Sequence, residues 1–266
     1  MNQILSRPAR SRRALQLAAA AALSLSGAAW ADSNASVQIS SFGWTVAGGG
    51  TLHWTGTDAF QSLSVQAEDG GGLTGFDANQ VTGSAIASNV QSAATPHAGG
   101  IAFTTGARTS GATALTLGGP GISPISQPNF GSSSILQSDA FTLTGSDSVT
   151  FNVGYTIDVS SPNGNFNTEY AEGVVDFSAG SYLGTSGGSF DIEKYSFDAA
   201  TGVGTYSGVL SLTVQLAGAD DIGYYSLISD AYASSVSAVP EPSESALLIA
   251  GLGAVGLVLR RRKARS

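Results

Sequence analysis

The chain has 266 residues, 35 of them glycine, no cysteine, and a formal net charge of −8. Without cysteine there is no disulfide, no thiol catalysis, no Cys-ligated zinc and no lipid-bearing lipoprotein Cys. Between Asp32 and Val239 only Arg108 and Lys194 are basic, against 17 acidic residues, so a body of formal charge −15 lies between two basic ends. A body of that sign repels a phosphate backbone, which argues against nucleic-acid partners.

The first 31 residues read as an export signal. Arg7, Arg10, Arg12 and Arg13 form a basic n-region, an apolar stretch runs from about Ala14 to Ala29, and Ala29-Trp30-Ala31 is a small-x-small cleavage site. This pattern predicts a signal peptide over residues 1–31, cut after Ala31 by signal peptidase once the chain has entered an export translocon. A permanent anchor is the poorer reading, because the run is short, Ala-rich and followed at once by the cleavage site. Arg12-Arg13 also fits part of a twin-arginine signal, although basic n-regions produce such pairs without it.

From residue 32 to 238 the dominant period is two. Leu63, Val65 and Ala67 alternate with polar residues, as do Val149, Phe151, Val153, Tyr155, Ile157 and Val159, and again Leu210, Leu212, Val214 and Leu216. Each run predicts a strand with one buried face. Turn formers separate them: Gly48-Gly49-Gly50, Asp69 to Gly72, Pro162-Asn163-Gly164 and Ser186-Gly187-Gly188. The expected fold is all-β, an antiparallel two-sheet β-sandwich, jelly-roll-like, forming one domain. Gly106 to Ser134, with Pro120, Pro124 and Pro128, reads as a long irregular loop or interrupted edge region.

The chain closes on Pro240, Glu241 and Pro242, the uncharged run Ala246 to Leu259, and the basic cluster Arg260, Arg261, Arg262, Lys263 and Arg265. The run predicts a short transmembrane helix over 245–259. At about 1.5 Å per residue its 14 apolar residues reach about 21 Å, short of a ~30 Å hydrocarbon core. The basic cluster acts as a cytoplasmic stop, leaving the body outside. Turn motif at 239–243, apolar helix and basic tail at 260–266 together resemble the PEP-CTERM sorting signal of exopolysaccharide-producing Gram-negative bacteria.

That resemblance implies recognition by an exosortase, a multi-spanning membrane enzyme that cuts at the Pro-Glu-Pro motif. The precursor is then held in the inner membrane and the processed body goes to the cell surface or beyond. Glu244 departs from the uncharged residue usual at its place. The body broadly resembles exported domains that precede such tails, with "YYSLISDAYASS" as a final strand, and the resemblance supplies no active site.

No catalytic constellation emerges from the residues. Gly184-Thr185-Ser186-Gly187-Gly188 matches G-x-S-x-G, but an alternating segment follows where a nucleophile elbow needs a helix, so it reads as a hairpin turn. His53 and His97 have no motif around them. Asp191 and Glu193 share a strand face, as chance pairs do among so many acids. For calcium, Asn163, Asn165, Asn167 and Glu169 recur at alternate positions, and Asp220-Asp221 sits in a turn, without a full EF-hand pattern; a solvated loop competes with this reading. Trp44, Trp54 and the tyrosines could stack on sugars or fill the core. The expected role is a non-enzymatic structural protein of the cell surface, extracellular matrix or biofilm. A carbohydrate-binding module holding exopolysaccharide is the alternative, and a surface hydrolase stands third.

Overall fold

The computed structural model describes residues 31–70, 72, 75–117, 128–161, 169–183, 187–196, 203–218 and 220–236. Thirteen strands follow in order: β1 (Ala31–Val46), β2 (Thr51–Trp54), β3 (Phe60–Asp69), β4 (Gly75–Gly83), β5 (Asn89–Ala94), β6 (Ala98–Thr104), β7 (Ser110–Leu117), β8 (Pro128–Thr144), β9 (Ser148–Ser160), β10 (Glu169–Ser181), β11 (Gly187–Ser196), β12 (Val203–Gln215) and β13 (Gly223–Val236). One 3₁₀ turn, Ala47–Gly49, is the only helical element among the described residues. No helix among them is long and apolar enough to cross a membrane. The expected signal and transmembrane helices lie outside them.

The strands form two antiparallel sheets. The first, sheet A, has the order β12-β9-β1-β7-β6-β5. The second, sheet B, has the order β11-β10-β13-β8-β3-β4, with β2 also paired to β8. The chain crosses between sheets at β1–β2, β4–β5, β7–β8, β8–β9, β9–β10, β11–β12 and β12–β13, so the two layers are interwoven and form one core. The alternating runs become strands as their period requires: Val149, Phe151, Val153, Ile157 and Val159 on β9 are all buried, as are Leu63, Val65 and Ala67 on β3. They meet Phe141, Phe177, Tyr225 and Leu227 from sheet B, each at most 1% exposed.

The expectation of a long irregular loop or interrupted edge region over Gly106 to Ser134 is corrected for its described residues, those outside 118–127. β7 lies inside sheet A between β1 and β6, and β8 lies inside sheet B between β13 and β3. The reading failed because the buried residues of β7 are Ala112, Ala114 and Thr116, too small to register as an apolar alternation. Sheet separation explains the small residues: a Cβ on Gly131 of β8 would stand 2.6 Å from the Gly99 carbonyl oxygen and 2.8 Å from that of Leu115. Backbone faces backbone there, and larger side chains have no room. Pro128 opens β8, where a strand tolerates proline.

Candidate functional site

At one end of the sandwich the sheets are joined by Arg108. It lies in the β6–β7 turn, which Thr105 and Thr109 close through an N–H to carbonyl bond of 2.9 Å and a hydroxyl contact of 2.7 Å. Arg108 has φ 61, the left-handed region that costs a non-glycine residue about 1–2 kcal/mol. Its side chain accounts for that conformation. Nη2 donates to Asp139 Oδ2 at 2.8 Å, Nε donates to the Tyr225 hydroxyl at 2.9 Å, and the guanidinium lies 3.9 Å above the Trp54 ring centre. Asp139 and Tyr225 belong to sheet B, so the turn bends across the opening between the layers.

Beneath Arg108 lies an aromatic cluster of Phe42, Trp54, Phe141, Phe151, Phe177 and Tyr225, with ring centres 4.9–6.4 Å apart in successive contacts. Trp44, 40% exposed, stands edge-on to Trp54 at 5.2 Å and forms the rim. Trp54 is therefore core and Trp44 is half lip. Burial pushes the Tyr225 hydroxyl up to about 12, against the opposing pull of the Arg108 charge. Nothing in the residue pattern singled out Asp139; the signal for Arg108 was its isolation in an acidic body.

The remaining candidates fall in separate places. Asp221 accepts from the Ser181 hydroxyl at 2.6 Å and from the amides of Ala217 at 2.8 Å and Leu183 at 3.4 Å, pinning two turns together. Burial opposes its charge, but the Ser181 and backbone bonds prevail and hold the carboxyl below its usual range. Buried Asp69 accepts from the His97 amide at 3.1 Å, lies 3.2 Å from His97 Nδ1, and accepts from the Thr95 hydroxyl, fixing the β5–β6 turn to the end of β3. His53 is exposed, with Nε2 2.9 Å from the Thr144 hydroxyl. No group of three or more His, Cys, Asp or Glu able to hold a metal occurs among the described residues. Residues 163–167 of the calcium candidate lie outside them, as does Gly184 to Ser186 of the G-x-S-x-G match, which falls between the antiparallel strands β10 and β11. Backbone register sets Asp191 opposite Asp176 and Glu193 opposite Val174.

Both ends of the body emerge together. Ala31 pairs with Leu117 at the start of β1, and Val236 pairs with Pro128 at the end of β13. Gly131 of β8 lies against Gly99 and Leu115, so these termini share the end of the sandwich opposite Arg108. The signal-cleavage residue Ala29 lies outside the described residues, and Ala31 is the first residue of β1; Pro240, Glu241, Pro242 and Arg260 to Lys263 also lie outside. Residues 238–263 match the family model of the PEP-CTERM protein-sorting motif. The chain carries a PEP-CTERM sorting motif at its C-terminus. No curated protein and no solved structure matches the chain.

The motif implies an exported, membrane-associated precursor that is processed by exosortase. Strands of 13 residues at about 3.3 Å each set the Arg108 end roughly 40 Å from the tail-bearing end. The two sheets of the body differ in charge. In sheet A only Asp32 and Asp158 are charged. Sheet B carries Glu68, Asp69, Asp77, Asp139, Glu169, Glu172, Asp176, Asp191, Glu193 and Asp230, relieved only by Lys194. Burial raises the Asp230 carboxyl against bonds from Ser134 and Tyr232, and nearby Asp176 raises it further. The outer face of sheet A is lined instead by hydroxyls and amides, with Thr150 and Thr213 2.8 Å apart and Ser211 donating to Asn152 at 2.9 Å.

Proposed function

We propose that this protein is a non-catalytic structural component of the cell surface or extracellular matrix, exported by its N-terminal signal and sorted through Pro240, Glu241 and Pro242. The observation that carries the reading is the use of the buried carboxylates. Asp69, Asp139 and Asp221 each bind a turn of the chain itself, at separate places, instead of converging on one cleft. Such acids build a rigid body; they do not pair as general acid and base.

The test compares cells exporting the wild type with cells exporting Glu241→Ala. Wild-type protein is expected in the matrix fraction without Ser266, and the variant in the membrane fraction with Ser266 retained. Wild type keeping Ser266 in every fraction ends the sorting reading. A strain lacking the protein whose matrix keeps its composition and cohesion ends the structural one.

A second reading, attachment to exopolysaccharide, is favoured by the sparsely charged hydroxyl and amide face of sheet A. Neutral sugars offer matching donors and acceptors, and an acidic polymer meets little repulsion there. Co-sedimentation with the host's own polysaccharide tests it. Binding lost on Thr150→Glu and kept on Ser64→Glu, which lies on sheet B, supports it; no binding by the wild type removes it.

A further inference from the structure

An edge strand offers unpaired backbone groups to any other strand, and proteins blunt such edges with charge, proline, bulges or a covering contact. Three of the four edges here are blunted. On β5, the Ala94 amide donates to Asp77 Oδ2 at 3.0 Å and the Ser92 carbonyl accepts from Asn79 Nδ2 at 2.6 Å. Both partners are on β4, so these two bonds bind the β4 and β5 edges to each other. β11 runs through Asp191, Glu193 and Lys194.

Among the described residues β12 shows no such device in its ladder or its composition. Its residues, VGTYSGVLSLTVQ, include no charge and no proline. Its pairing with β9 runs without a shift from Val203↔Ser160 to Gln215↔Ser148, and among the described residues no strand pairs with its other side. Val209, at its midpoint, is 65% exposed. Uncharged stretches of this β-propensity are those that add strands most readily.

We propose that β12 is a self-association edge at which two copies of this chain pair antiparallel about a two-fold axis, joining their A sheets into one. The self-pairing follows from three features. A two-fold axis perpendicular to the sheet keeps each residue on its own face, so Leu210 and Val214 stay inward in both copies while Val209, Ser211 and Thr213 stay outward. The charge of each body sits mainly on sheet B, and the joined strands bring no ionised side chain of β12 against another. Full overlap of the strand places the axis near Val209. A β12 contact about 43 Å long and one sheet, about 10 Å, deep covers about 430 Å² per copy, less than a standard protein interface, so association depends on concentration, and it closes at two copies because the other edges are blunted. The pairing rests on the fold, and holds whether or not the body is a matrix component.

The absence of cysteine makes the test direct. Single cysteines are placed in the full chain at each position from Ser207 to Thr213, and at Ser92 on β5 as control, and the exported proteins are mildly oxidised at the cell surface. The expected result is a disulfide-linked homodimer at the residue on the axis, falling at least about tenfold two positions away. Each residue of offset moves the paired Cα atoms apart by about 7 Å along the strands, beyond disulfide reach. Val209→Lys, added in the cross-linking background, is expected to abolish the dimer while the exposed site leaves the fold intact, as far-UV and near-UV circular dichroism checks. The proposal is overturned by no homodimer at any β12 position, by equal dimer across all positions and Ser92, or by cross-links to another polypeptide.

Discussion

Arg108 and Asp139 form an ion pair across the two sheets, Nη2 to Oδ2 at 2.8 Å, with side chains 13% and 3% exposed. Neither charge is solvated enough to stand alone. Asp139→Ala is therefore expected to cost about 3–5 kcal/mol, because it leaves the Arg108 charge uncompensated over Trp54. Urea unfolding of wild type and variant measures it; a loss under about 1 kcal/mol shows that the pair is dispensable.

Tyr225 is 1% exposed and its hydroxyl is pushed up to about 12 by burial. The folded state then holds this proton between pH 10 and 12 while the unfolded chain releases it. The stabilisation is fully present below about 10 and is lost as pH rises through about 12, a loss of roughly 3 kcal/mol. Alkaline unfolding should coincide with tyrosinate absorbance. Ionisation of every tyrosine near pH 10 with the fold intact contradicts this.

Asp221 joins the turn after β10 to the turn before β13. Asp221→Ala should speed hydrogen exchange at the Ala217 and Leu183 amides, which it accepts from, and leave exchange in β9 unchanged. Its depressed carboxyl adds a pH signature: the restraint is present above the ordinary carboxylate range and is lost as pH falls below it. Unaltered exchange in both turns counts against the pinning role.

Gly223 and Gly43 make a matched pair. A Cβ on Gly223 would stand 2.1 Å from the Phe141 ring, whereas one on Gly43 meets nothing within 4 Å. Gly223→Ala should destabilise by about 1–3 kcal/mol through overpacking, and Gly43→Ala should stay within about 0.5 kcal/mol of wild type or gain slightly. Equal midpoints for the two variants would show that Phe141 gives way freely.

Period-two alternation was legible wherever the inward residues were large. Val149 to Val159 lies within β9, Leu210 to Val214 within β12, and Leu63 to Ala67 within β3. It was illegible in β6 and β7, whose inward positions are Ala, Gly, Ser and Thr because the sheets approach closely near Gly131. The sorting motif was legible because its three parts stand in fixed order along the chain. The Arg108 site was not. Its partners Trp54, Asp139 and Tyr225 come from β2, β8 and β13, strands far apart in the chain that lie side by side in sheet B. The single cue was a lone arginine, and a lone charge does not name its counter-ion. The same holds for Asp69 and His97, 28 residues apart.

The strand that leads into the sorting tail lies inside sheet B, where β13 pairs with β10 from Gly223 to Ser235 and with β8 from Gly223 to Val236. A pull applied at the Arg108 end and resisted at the tail is therefore transmitted along β13. The ladder bonds stand across that direction and carry the load side by side, as in shear, instead of opening one after another. An edge strand in the same place, paired on one side only, would slip under about half the force. Any load carried between the far end of the body and the tail thus falls on a strand bonded on both sides along its length.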